Sequence, residues 1–141
     1  MTRVSFYVLA AERPDGRLWL ACRVAEKAYK QRKRIYLFCG DPATAARLDD
    51  LLWTFRQGSF VPHERAGEDS GAPVVIGEQA PPAACADVLI NLDSEVPEFF
   101  SRFERVAEIV GADAEARRQA RSRYQFYRDR GYALETHNVS P

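Results

Sequence analysis

Ile35-Tyr36-Leu37-Phe38-Cys39 is an unbroken run of five apolar residues, preceded by Arg32-Lys33-Arg34 and closed by Gly40. A strand with one face in water alternates apolar and polar side chains. An unbroken run is apolar on both faces, so both must be covered, which is the situation of an interior strand in a parallel sheet. Three more segments read as strands, the last of them also of the buried type. Arg3 to Leu9 is rich in β-branched and aromatic residues, Val74-Val75-Ile76 follows a Gly/Pro loop, and Asp87 to Leu92 holds Val-Leu-Ile. Tyr132 to Thr136 alternates weakly and reads as a last edge strand.

Between these segments the apolar period changes to that of a helix. After the turn residues Glu12 to Gly16, Leu18, Cys22, Ala25 and Tyr29 share one face, with Ala21 and Ala28 beside them. Arg23, Glu26, Lys27 and Lys30 form the opposite, solvated face. Asp41-Pro42 supplies an N-cap and a first-turn proline for a helix to about Phe55. Its apolar face is Ala45, Leu48, Leu52 and Phe55. A third helix is expected from about Pro97 to Val110, with Phe99, Phe100, Phe103, Val106, Ile109 and Val110 on its apolar side and Gly111 ending it. Asp113 caps a fourth, with Glu115 in its first turn, Ala116, Ala120 and Tyr127 on a packing flank, and Gly131 as its stop. Gln57 to His63, Ala66 to Pro73 and Gln79 to Ala86 read as loops, and His137 as part of a frayed, exposed tail.

Strands alternating with helices over 141 residues predict one α/β domain, 1–141. The expected architecture is a Rossmann-like three-layer fold, with a largely parallel central sheet and helices on both faces. There is no run of 18 or more apolar residues and no basic-then-apolar leader, which points to a cytoplasmic chain without a membrane span. Cys22, Cys39 and Cys85 are widely spaced and fit buried core thiols better than disulfides or a zinc site. No metal and no cofactor is expected. His63 reads as a hydrogen-bonded surface or loop histidine.

Catalytic signatures are missing. The first strand leads into Glu-Arg-Pro-Asp-Gly and not GxGxxG, and neither GxxxxGK[ST] nor GxSxG occurs. The acidic pairs Asp49-Asp50 and Glu68-Asp69 read as solvated charge. The chain is therefore expected not to be an enzyme. The alternative from fold class is a nucleotide-binding α/β enzyme of unknown substrate.

Charge is uneven although 20 basic and 20 acidic residues cancel. From Ala116 to Arg130, six of fifteen residues are Arg and three are aromatic. Arg117, Arg121, Tyr124 and Arg128 fall on one helical face. Such a stripe suits a carboxylate or phosphate with an apolar group beside it; it also suits a merely solvated basic face. Overall neutrality argues against strong direct nucleic-acid binding, including a single-strand site on this helix. Trp53 points away from the apolar stripe of its helix, either to cover a loop or to anchor a partner. Phe60 lies close by in sequence, on a loop.

The set Arg47-Leu48-Asp49-x-x-Leu52-Trp53, Ser59-Phe60-Val61-Pro62-His63, Ala66-Gly67-Glu68, Gly71-Ala72-Pro73-Val74, Leu89-Ile90-Asn91-Leu92 and Ala120-Arg121-x-Arg123-Tyr124-x-x-Tyr127-Arg128-x-x-Gly131 resembles the chi subunit of bacterial DNA polymerase III. The resemblance runs in order over most of the chain and fades beyond Leu134. It implies a non-catalytic adaptor of the clamp-loader assembly in DNA replication, with two contacts. One is to the acidic C-terminal tail of single-stranded DNA-binding protein, through Arg121, with Arg117, Tyr124, Arg128 and Val110. The other is to the psi subunit, or in some bacteria a helicase-like protein, through Trp53 and Phe60. Some family members have Lys where this chain has Arg117.

Overall fold

The computed structural model describes residues 1–82 and 87–141. Seven strands form one sheet: β1 Arg3–Leu9, β2 Ile35–Phe38, β3 His63–Arg65, β4 Val74–Gly77, β5 Val88–Asn91, β6 Arg105–Val110 and β7 Ala133–Val139. Their order is β3-β4-β2-β5-β6-β1-β7, and every neighbouring pair is parallel. Helices α1 Gly16–Lys30 and α2 Pro42–Thr54 cover one face, and α3 Ala114–Asp129 covers the other. This is the three-layer α/β domain that the sequence predicts.

The two-residue period of the strands explains the two cores. On β2, Ile35 and Leu37 pack under α1 and α2, while Tyr36 and Phe38 pack on the α3 side. All four are buried, as the unbroken apolar run requires. On β1, Leu9 belongs to the α1 core, whereas Val4 and Phe6 belong to the α3 core. Asp41 caps α2 by accepting from the Thr44 amide at 2.8 Å. Asp113 caps α3 by accepting from the Ala116 amide at 3.0 Å. Gly131 follows α3 at φ 77°, the left-handed conformation that stops a helix with least strain when no Cβ is present.

Several expectations need correction. The helix expected over 97–110 is instead a short 3-10 turn, Phe100–Arg102, followed by strand β6. The spacing of Phe99, Phe100, Phe103 and Val106 imitates a helical face. These side chains share one core because the turn and the α3 face of β6 both deliver them there. Ala107 and Ile109 point to the other core. Val110 therefore ends a strand, and Gly111 follows a strand and is no helix stop.

The loop reading around His63 misses the three-residue edge strand β3. The reading of a frayed tail at His137 is also wrong. That residue sits in β7, beside Tyr7 of β1, with the rings stacked at 4.9 Å. Its exposed character holds. Cys22 and Cys39 are buried free thiols. Cys85 and the part of the expected loop at 83–86 lie outside the described residues.

Candidate functional site

Helix α3 has two unlike faces. Ala120 and Tyr127 pack on the sheet, and Arg123 joins them, buried at 5% exposure. Arg123 is held by Glu108 of β6, its Nε donating to Oε1 at 2.8 Å. The Tyr127 hydroxyl donates to Glu108 Oε2 at 2.7 Å, and the Asn91 amide lies 3.0 and 3.1 Å from the two oxygens. Arg123 also donates to the Ser94 carbonyl at 3.0 Å. Burial pushes the Glu108 carboxyl up from its ordinary value; the Arg123 charge and the hydrogen bonds from Tyr127, Asn91 and Arg123 push back. Burial, then the Glu108 charge, raises the Tyr127 phenol. The network pins the helix to the sheet and fixes which of its arginines face outward.

The outward face carries Arg117, Arg121, Tyr124 and Arg128, all exposed. Arg117, Arg121 and Tyr124 border a shallow hollow of about 180 Å³. Its floor and walls are Phe6 and Val8 of β1, Val110 of β6 and Ala120 of α3, with Thr136 of β7 on the rim. The Tyr124 ring leans on Phe6 at 5.4 Å between centroids, which sets its position. Arg117 Nη2 donates to the Leu9 carbonyl at 3.3 Å. Arg121 makes no hydrogen bond or ion pair among the described residues. Arg128 lies on the same face but does not line the hollow. Four of the five residues expected at one contact thus meet around one apolar depression. Phe6, Val8 and Thr136 join them; they are distant in sequence and carry no local signal of a site.

The second pair also comes together. Trp53 is 56% exposed and Phe60 65% exposed, with ring centroids 6.0 Å apart. His63 lies under Trp53 at 4.5 Å, and its side chain is fully covered. Its Nδ1 is 2.7 Å from the Val61 carbonyl, and its Nε2 is 3.2 Å from the Asp49 carbonyl and 3.1 Å from Asp49 Oδ1. His63 is therefore hydrogen-bonded as expected, but supports the pair from below and is not a surface group. Glu26, read from sequence as solvated, ties the Phe60 loop to α1 through Ser59 Oγ and, at 2.6 Å, Arg56 Nη2. Burial pushes its carboxyl up, but those bonds outweigh burial and hold it below the usual range.

The carboxyl ends of parallel strands are where α/β sheets commonly bind nucleotides. Here that end holds a groove of about 320 Å³ bordered by Arg17, Asp41, Asp93, Asp113 and Arg123. Asp41 and Asp113 already occupy the amides at the N-termini of α2 and α3. A phosphate there would meet two carboxylates where it needs free N–H groups.

Fold and surfaces together define a parallel α/β domain with two aromatic-bearing patches. The hollow lies by the β1–β7 edge on the α3 face, and the Trp53 pair lies by the β3 edge on the α2 face. The family model for "DNA polymerase III chi subunit, HolC" matches residues 1–135, and the chain belongs to that family of replication subunits. The chain is 47% identical over 139 residues to the DNA polymerase III subunit chi of Pseudomonas aeruginosa, covering 99% of this chain and 98% of that one. It is 37% identical over 120 residues to the subunit chi of Escherichia coli K12, covering 83% and 82% of the two. The crystal structure of T4 UvsW superposes with a TM-score of 0.69 at 8% identity, over 99% of this chain and 42% of that one. That likeness is one of fold. No helix among the described residues is long and apolar enough to cross a membrane.

Proposed function

We propose that this chain is a non-catalytic, cytoplasmic adaptor. It joins the acidic C-terminal tail of single-stranded DNA-binding protein to the psi subunit of the clamp loader, or to a helicase-like partner. The observation that carries the reading is Arg121, a cation with no partner of its own among the described residues, at the mouth of an apolar hollow. A peptide ending in Phe presents a ring and a carboxylate side by side. Arg121 takes the carboxylate, and Val110, Ala120, Phe6 and Tyr124 shelter the ring. Arg117 and Arg128 attract the preceding acidic residues and chiefly speed encounter. Trp53 and Phe60 serve the other partner. The placement of the two patches at opposite sheet edges lets both partners bind at once.

Fluorescence anisotropy with a labelled tail peptide tests the first contact. Arg121→Ala is expected to weaken binding at least about tenfold, since a hydrogen bond to a charged group is worth ~1.5–3 kcal/mol. Added salt weakens binding further. Unchanged affinity in the Arg121 variant overturns the assignment. A thermal-shift response to nucleotides and none to the peptide would favour the nucleotide-enzyme reading.

A further inference from the structure

The α1 face of the sheet is incompletely covered. Beyond α1, toward the β7 edge, Ser5 and Tyr7 of β1, Ala107 of β6 and His137 of β7 line an open hollow of about 270 Å³. Tyr7 and His137 form a stacked pair, 4.9 Å between centroids and 24° between planes. Lys27, Lys33 and Arg105 stand around them, and none has an ion-pair partner among the described residues. One carboxylate, Glu135, lies in the hollow and is engaged with His137 at 3.4 Å. Arg3 and Arg105 are register partners on adjacent strands. Like charges placed side by side across a sheet repel, and an anion between them removes that cost.

We propose that this open sheet face is a weak single-stranded nucleic-acid contact, with a base on the Tyr7–His137 pair and the backbone phosphates on Arg105, Lys33 and Lys27. Aromatic rings on an exposed sheet, edged by cations, are what single strands use in other folds, because every base has a face to stack and every nucleotide a charge. The volume is just below the roughly 300 Å³ of the smallest drug-sized sites, so the hollow takes about one nucleotide. The surface is on the opposite sheet face from Arg121 and does not depend on the tail contact. Its weakness follows from three cations on a neutral protein. A strand held by a replication subunit's partners would be presented at high local concentration, so a weak contact suffices.

The test is amide-shift mapping of the whole chain with a short oligothymidylate at low salt, followed by anisotropy on variants. Shifts are expected at Tyr7, Arg105 and His137. His137→Ala is expected to lower affinity at least about fivefold, the lower end for loss of one stacked base. Tyr7→Phe, which keeps the ring, leaves affinity unchanged. Arg105→Gln lowers the slope of log affinity against log salt by about 0.7, the value for one single-strand phosphate contact. Shifts that fall on Arg117 and Arg121 instead, or no shifts at low salt, overturn the proposal. So does a polyglutamate peptide that binds this face as tightly as the oligonucleotide, which would make it an acidic-peptide surface.

Discussion

Glu108→Ala removes the acceptor that three buried donors share: Arg123 Nε, the Tyr127 hydroxyl and the Asn91 amide. Asn91 keeps its bond to the Glu95 carbonyl, and Arg123 keeps the one to Ser94. Tyr127 is left with a buried, unpaired hydroxyl, a loss of ~1–3 kcal/mol. Arg123 is left as a buried charge without its counter-ion, and breaking such a pair from one side costs ~3–5 kcal/mol in all. A domain of this size has about 5–15 kcal/mol of total stability, so the variant is expected to be folded but marginal. With a urea slope of about 1–3 kcal/mol/M, the midpoint falls by at least about 1 M. Urea unfolding followed by far-ultraviolet circular dichroism measures it. The triple variant Glu108→Leu, Arg123→Met, Tyr127→Phe removes the polar groups together, leaves no orphaned charge, and is expected to regain most of the lost stability. That variant should also keep tail-peptide affinity, because no member of the network lines the hollow, and Tyr127→Phe keeps the ring that meets Phe6 edge-on at 6.1 Å. A Glu108→Ala loss below about 1 kcal/mol would refute the reasoning. So would a stable triple variant that no longer binds the peptide.

Three further outcomes follow from the same geometry. Trp53→Ala or Phe60→Ala is expected to abolish co-purification with psi while tail binding survives; loss of both contacts would indicate misfolding. Burial pushes the thiols of Cys22 and Cys39 up to about 12, which leaves roughly one in ten thousand ionised at pH 8. Mass-spectrometric mapping after alkylation should find both unmodified in the native chain and modified in urea. The Glu64 carboxylate accepts from the Ser70 and Ala72 amides at 2.8 and 2.7 Å, and those bonds hold it below its ordinary value of 4.5. A lowered folded value means its contribution is present above about pH 4.5 and is lost as pH falls through the folded value. The melting-temperature gap between the native chain and Glu64→Gln should therefore be widest near neutrality and close in acid.

The inner strands β2, β4 and β5 were legible because they are short and largely apolar on both sides. Ile35–Phe38 and Val88–Asn91 could sit nowhere but inside a parallel sheet, and both do. Strand β6 was hidden for a physical reason. Its sequence Arg-Val-Ala-Glu-Ile-Val carries a Glu where an interior strand should be apolar, so the charge reads as the wet side of a helix. Glu108 is dry because Arg123, fifteen residues further on in α3, comes back over the sheet to meet it. That pairing is a product of the tertiary fold and leaves no local mark. β3 was hidden by brevity, since three residues between loops give no period to read.

The helix face was legible for the complementary reason. Helical spacing alone puts Arg117, Arg121, Tyr124 and Arg128 together, and no tertiary contact is needed to predict it. What spacing could not supply is the difference among the arginines. Arg123 sits within the same basic stretch and would be counted as one more surface cation, yet it is buried. Arg117 is bonded to β1, Arg128 is clear of the hollow, and Arg121 alone combines the hollow's rim with an unengaged guanidinium among the described residues. A count of positive charge therefore overstates the proposed receptor. The sheet strands β1, β6 and β7 supply its apolar floor and rim, and the buried Glu108–Arg123 pair decides which arginine of the helix is left to hold an anion.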